Sequence, residues 1–144
     1  MTSHGMRFLL VEDSPDDEEL VIDALSALGL PPDAIAVARD GAEALVRLAT
    51  TETLPRVVLL DIKLPKLSGL DVLERLRSEH RTRHVPVVIW STSDAPSDIE
   101  RAHALGANSY VQKPVDFAEL TETVRSVGRY WLEINRPPPE EGRV

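Results

Sequence analysis

The chain contains no cysteine, which excludes disulfide cross-links and thiolate metal sites. No apolar run approaches the roughly 18 residues of a membrane span. The first residues, MTSHGMRF, have neither the basic stretch nor the apolar core of a signal peptide. Positive charge is also scarce: 16 Lys and Arg stand against 24 Asp and Glu, a net charge of -8. Binding a nucleic-acid backbone needs clustered Lys and Arg, so nucleic acid is not an expected partner. These absences predict a soluble cytoplasmic domain that engages neither membrane nor nucleic acid. What is present supports a core: 144 residues without an internal repeat, 42% of them hydrophobic, fit one domain over residues 1–135. From Arg136 the chain becomes RPPPEEGRV, and residues 136–144 are expected to form a disordered tail.

The stretch from Val57 to Gly69, VVLLDIKLPKLSG, organises the rest. Its continuous apolar run reads as a strand buried on both faces, and it ends in Asp61. Arg7 to Val11, Ile35 to Ala38, Val85 to Trp90 and Ser109 to Gln112 are the other strand candidates. Between them lie helical stretches with capping signals at Ser14-Pro15, Asp40, Ser68, Asp94-Pro96 and Asp116, and stops at Gly29 and Gly106. Five strands alternating with five helices predict an α/β domain, a doubly wound parallel sheet with helices on both faces.

In such a sheet the strand ends share one edge, so Glu12, Asp13, Asp61, Ser91 and Lys113 meet in one cleft. Three carboxylates within about 4–5 Å of one another repel by roughly 4 kcal/mol per pair at an effective dielectric near 20. A cation held by Asp13 and Asp61, with Glu12 acting through water, resolves the conflict, and few oxygen ligands suit Mg²⁺. The same site is prepared for phosphoryl transfer. Asp61 is a candidate nucleophile, Lys113 a cation for the equatorial oxygens, and Ser91 a hydroxyl donor to the arriving group. The bond Lys113–Pro114 is a candidate for a cis peptide.

The acidic pair Glu12-Asp13, the segment Asp61-Ile62-Lys63-Leu64-Pro65 with Gly69 beyond it, Ser91, Tyr110 and Lys113-Pro114 together resemble a response regulator receiver domain, over residues 6 to about 128. The resemblance implies a flavodoxin-like sheet of order 2-1-3-4-5 and phosphorylation of Asp61 by a histidine kinase. It implies Mg²⁺ held by Asp13, Asp61 and the backbone carbonyl of Lys63. It makes Ser91 and Tyr110 the switch pair, and slow self-dephosphorylation the only turnover. LPKLSG, WSTS and the terminal YWLEINRPP are most similar to stand-alone regulators paired with bacterial phytochromes. In the last helix Phe117, Leu120, Val124, Val127, Trp131 and Ile134 step by threes and fours, and the distal Tyr130, Trp131 and Ile134 need cover. A homodimer through that helix is expected, as the phytochrome-linked relatives imply. Thr92, where the family usually has alanine, and Lys63 depart from the common pattern and are expected to tune the phosphoryl lifetime.

Plainer roles are expected elsewhere. Asp16, Asp17, Glu18 and Glu19 read as solvated charges at a helix N-terminus. Trp90 reads as core, and His4, His80, His84 and His103 as surface residues. A metal-dependent phosphatase using an aspartyl-phosphate is the alternative function, but it would want an acid where Lys63 stands. A flavodoxin-like cofactor binder would want Ser, Thr and Gly in the acidic loop from Glu12 to Asp17.

Overall fold

A computed structural model describes residues 5–139. His4 and the last part of the tail, 140–144, lie outside the described residues. Five strands, β1 (Phe8–Val11), β2 (Ile35–Ala38), β3 (Val57–Asp61), β4 (Val87–Ser91) and β5 (Ser109–Gln112), form one parallel sheet in the order β2-β1-β3-β4-β5. Five helices connect or follow them: α1 (Pro15–Ser26), α2 (Gly41–Thr50), α3 (Gly69–Ser78), α4 (Pro96–Ala104) and α5 (Phe117–Arg129). Both the architecture and the strand order agree with the expectation. A single 3₁₀ turn at Pro32–Ala34, not expected, leads into β2.

The continuous apolar strands are buried because both faces are covered. On one face α2, α3 and α4 cover Leu9, Val11, Val58, Leu60, Val87 and Ile89. On the other, α1 and α5 cover Phe8, Leu10, Val57, Leu59, Val88 and Trp90. Residues alternate between the faces along each strand, so Glu12, Asp61 and Trp90 continue the rows that belong to the α1–α5 side. The central strands β1 and β3 run in register from Phe8↔Val57 to Val11↔Leu60. Asp61 therefore emerges beside the end of β1.

Most caps fall where expected. Ser14, Asp40, Ser68 and Asp116 each accept a hydrogen bond from a backbone N–H in the first turn of the helix that follows. At α4 the cap position is Ala95 rather than Asp94, and Ser93 takes over the local polar role by accepting from Ala95 N. Gly106 follows α4 at φ +102°, a left-handed conformation that glycine adopts without a Cβ penalty.

Three expectations fail in this part of the structure. All peptide bonds among the described residues are trans, Lys113–Pro114 included. The seven-residue stripe along the last helix breaks at Tyr130–Ile134, which form a π-helical turn. A π turn takes more residues per turn than an α-helix and so shifts which residues face inward: Leu132 is buried and Ile134 is 59% exposed. Phe117, at the other end of the stripe, is 66% exposed instead of packing on the sheet. Residues 136–139 carry no regular secondary structure and are exposed. No helix among the described residues is long and apolar enough to cross a membrane.

Candidate functional site

The site is built at the carboxyl ends of β1, β3 and β5. Glu12 N donates to Ala38 O at 2.9 Å, which continues the β1–β2 ladder and fixes where the Glu12 side chain starts. Lys113 N donates to Ser91 O at 2.7 Å and likewise carries Lys113 one residue beyond β5 alongside β4. Asp61 closes β3 and is 7% exposed; Glu12 is 1% and Lys113 8% exposed.

Lys113 Nζ is the centre of the cluster. It donates to Glu12 Oε1 at 2.8 Å, to Asp17 Oδ2 at 2.9 Å and to Asp61 Oδ2 at 3.0 Å. These residues come from positions as far apart as 12 and 113, brought together by the sheet edge and the first turn of α1. The other Asp61 oxygen, Oδ1, accepts from Lys63 N at 3.0 Å. Both oxygens of Asp61 are thus oriented by a hydrogen bond.

Burial pushes the Glu12 carboxyl up to about 7, opposed by the Lys113 hydrogen bond and reinforced by the nearby Asp61 charge. Burial works against the Lys113 ammonium too. The hydrogen bond to Glu12, the Asp61 and Glu12 charges and the Asp17 hydrogen bond outweigh it, and hold Lys113 above its ordinary value. Lys113 is therefore a permanent cation here.

Glu12, the exposed Asp13 and Asp61 offer carboxylate oxygens that all lie within 4.8 Å of one another. Glu12 and Asp61 of this group, with Asp17, pair with the one ammonium of Lys113. The donors are all hard oxygens, one side of the group is open at Asp13, and negative charge is in excess. That set fits a small divalent cation that keeps part of its water. Of the expected metal set, the three carboxylates converge; the Lys63 side chain points to solvent, leaving its backbone carbonyl as the group of interest.

Ser91 lies at the end of β4, 1% exposed, and its Oγ accepts from Ser93 N at 3.1 Å. Tyr110 is half-buried against the α3–α4 side of the core, and its hydroxyl donates to Ser93 O at 2.8 Å. Ser93 also donates to Asp98 Oδ2 at 2.6 Å. The two expected switch residues are therefore connected through Ser93 rather than to each other. Thr92 is exposed, its carbonyl accepting from Gln112 Nε2 at 3.3 Å.

Asp17 is the clearest correction. Expected as a solvated helix-end charge, it is a direct partner of Lys113. Its position in the first turn of α1, on the side facing the end of β5, was not visible in linear order. Glu18 pairs instead with Arg39 at 2.9 Å, and Asp16 and Glu19 are exposed as expected. Trp90 is core, fully buried as expected, but it also lies under Lys113 Nζ, 5.7 Å from its ring centroid. His80, His84 and His103 are exposed.

A parallel α/β sheet that gathers carboxylates around one lysine at its carboxyl edge defines the class: a domain of the flavodoxin-like fold with an acidic site at its strand ends. The chain belongs to the response regulator receiver domain family, whose pattern matches residues 8–125. Receiver domains are the phosphoacceptors of two-component signalling.

The chain is similar to the probable methanogenesis regulatory protein FilR2 of Methanothrix harundinacea, 41% identical over 134 residues, which span 90% of this chain and 86% of FilR2. Response regulator Rcp1 of Synechocystis is 32% identical over 130 residues, 87% of this chain and 88% of Rcp1. Its Mn²⁺-bound form superposes with a TM-score of 0.84, covering 92% of this chain and 98% of that one at 30% identity. The bacteriophytochrome response regulator RtBRR is 41% identical, with a TM-score of 0.70 over 94% of this chain and 85% of that one.

Proposed function

We propose that Asp61 accepts a phosphoryl group from the phosphohistidine of a histidine kinase, with Mg²⁺ bound, and that the acyl phosphate changes the surface the domain offers its partners. The observation that carries this reading is the Lys113–Asp61 contact at 3.0 Å inside a group of converging carboxylates. An Asp61 oxygen attacks phosphorus as the P–N bond breaks, and the kinase imidazole, protonated on its other nitrogen, leaves neutral with the electron pair. Lys113 stays against the transferred oxygens, and Lys63 N orients the carboxylate. Asp13, Asp61 and the Lys63 carbonyl are the groups that would hold Mg²⁺, with Glu12 acting through water. The ion when bound neutralises charge on the phosphoryl oxygens.

Ser91 Oγ, at the end of β4, donates to the new phosphoryl group in this reading. If the Ser91 side chain turns toward that group it leaves Ser93 N, and Ser93 O is the group that holds the Tyr110 hydroxyl. The α4–β5–α5 surface is where the change would be read. Similarity to RtBRR favours a bacteriophytochrome as the kinase. Tyr130, 45% exposed, and Ile134 favour a homodimer through the C-terminal helix, with the half-buried Trp131 at its edge.

The test is acetyl phosphate with Mg²⁺ on the wild type and on Asp61→Asn, followed by intact mass. The wild type is expected to gain one phosphoryl group and Asp61→Asn none. An adduct that survives Asp61→Asn removes the assignment.

A further inference from the structure

Lys113 carries three ion pairs, and they are not equivalent. Glu12 and Asp61 belong to the group of candidate cation ligands. Asp17 does not. It sits in the first turn of α1, and its Oδ2 reaches Lys113 Nζ at 2.9 Å from outside that group. The Trp90 ring also holds the ammonium from outside, at 5.7 Å and within cation–π reach. Trp90 Nε1 is buried without an acceptor among the described residues. Leucine or methionine would fill a core position without that orphaned N–H. What the indole adds is a large negative ring face under a cation.

A divalent cation that engages Asp61 and Glu12 draws on the charge that holds Lys113, and repels the ammonium directly. Lysine is long and strongly hydrated, so an unanchored Lys113 would swing toward water. Asp17 is the carboxylate left to oppose this. We propose that Asp17 is a positioning residue that keeps Lys113 Nζ beside Asp61 once a divalent cation is bound, so that the ammonium is in place when the phosphoryl group arrives. This rests on Asp61 being the phosphoacceptor. Trp90 serves as the floor against which Asp17 holds the side chain.

The test follows the Lys113 ammonium by NMR in the full chain labelled with ¹⁵N-lysine, with and without Mg²⁺, alongside the rate of phosphorylation by acetyl phosphate. Asp17 is half-exposed at a helix start, so asparagine fits there without repacking. Wild type is expected to keep the ammonium signal in saturating Mg²⁺. Asp17→Asn is expected to keep it without Mg²⁺ and lose it with Mg²⁺. It should also phosphorylate about fivefold more slowly, the worth of one partly exposed ion pair. Asp17→Glu is expected to recover both. Asp17→Asn that keeps the signal in Mg²⁺ and the wild-type rate overturns the proposal. Loss of the signal in metal-free Asp17→Asn as well would make Asp17 a plain structural anchor and equally overturn it. If wild type takes up no phosphoryl group, the phosphoacceptor reading fails instead, and the NMR result still decides the role of Asp17.

Discussion

Gly69 shows how closely Asp61 is enclosed. A Cβ at this position would lie 2.0 Å from the Asp61 carbonyl oxygen and 2.9 Å from Ile62 Cα. The first residue of α3 therefore packs directly on the backbone of Asp61, and Gly69 N donates to Ile62 O at 2.9 Å. Alanine cannot be admitted without moving one backbone or the other. Gly69→Ala is expected to lower stability by about 1–3 kcal/mol, the usual cost of overpacking, and to slow phosphorylation at Asp61. A urea midpoint equal to wild type would show that the approach is looser than this. In the sequence Gly69 was one residue of a family motif, and its physical reason is a contact that linear order does not display. Asp17 is the same kind of case. Its neighbours Asp16 and Glu19 are chemically alike and solvated, so only direction on the helix distinguishes it.

At the scale of elements, local chemistry decided most boundaries. A Ser or Asp side chain that caps a helix acts within three residues, so Ser14, Asp40, Ser68 and Asp116 were legible before any fold was known. The Asp40 carboxyl is held below its ordinary value of 3.8, first by the backbone hydrogen bond from Glu43, then by Lys66. A lowered carboxyl contributes stability that is fully present above pH 3.8 and is lost as pH falls through the lowered value. Asp40→Asn keeps a capping acceptor but cannot titrate. Acid unfolding monitored by circular dichroism should therefore show a shallower loss of stability below about pH 3.8 than wild type. An unchanged acid profile would mean that the cap carries no such linkage. The C-terminal element went the other way. A heptad count assumes a constant turn, and the π-helical turn at Tyr130–Ile134 ends that assumption, carrying Leu132 inward against the α1–α5 core. Gly128 permits this by letting α5 come close to α1, where a Cβ would lie 2.7 Å from Leu25 Cδ2.

For the whole molecule, the π turn at the end of α5 selects which apolar side chains are left exposed. Tyr130 and Ile134 are exposed, whereas Trp131 is half-buried and makes an edge-on ring contact with Tyr130 at 4.9 Å. If the helix is a dimer contact, Tyr130→Ala with Ile134→Ala should sediment as a monomer where the wild type sediments as a dimer. An unchanged sedimentation coefficient would place the contact elsewhere. The alternation of apolar strands with amphipathic helices, and polar residues at most strand ends, were sufficient by themselves to imply a parallel sheet and one shared edge. Such patterns are local, and burial of both sheet faces leaves them few ways to be satisfied. That Asp17 joins Glu12 and Asp61 on Lys113, why glycine stands against the Asp61 backbone, and which face of the last helix remains bare were decided by tertiary packing alone. Each depends on the distance and rotation between elements, quantities set by the contact of side chains far apart in the chain.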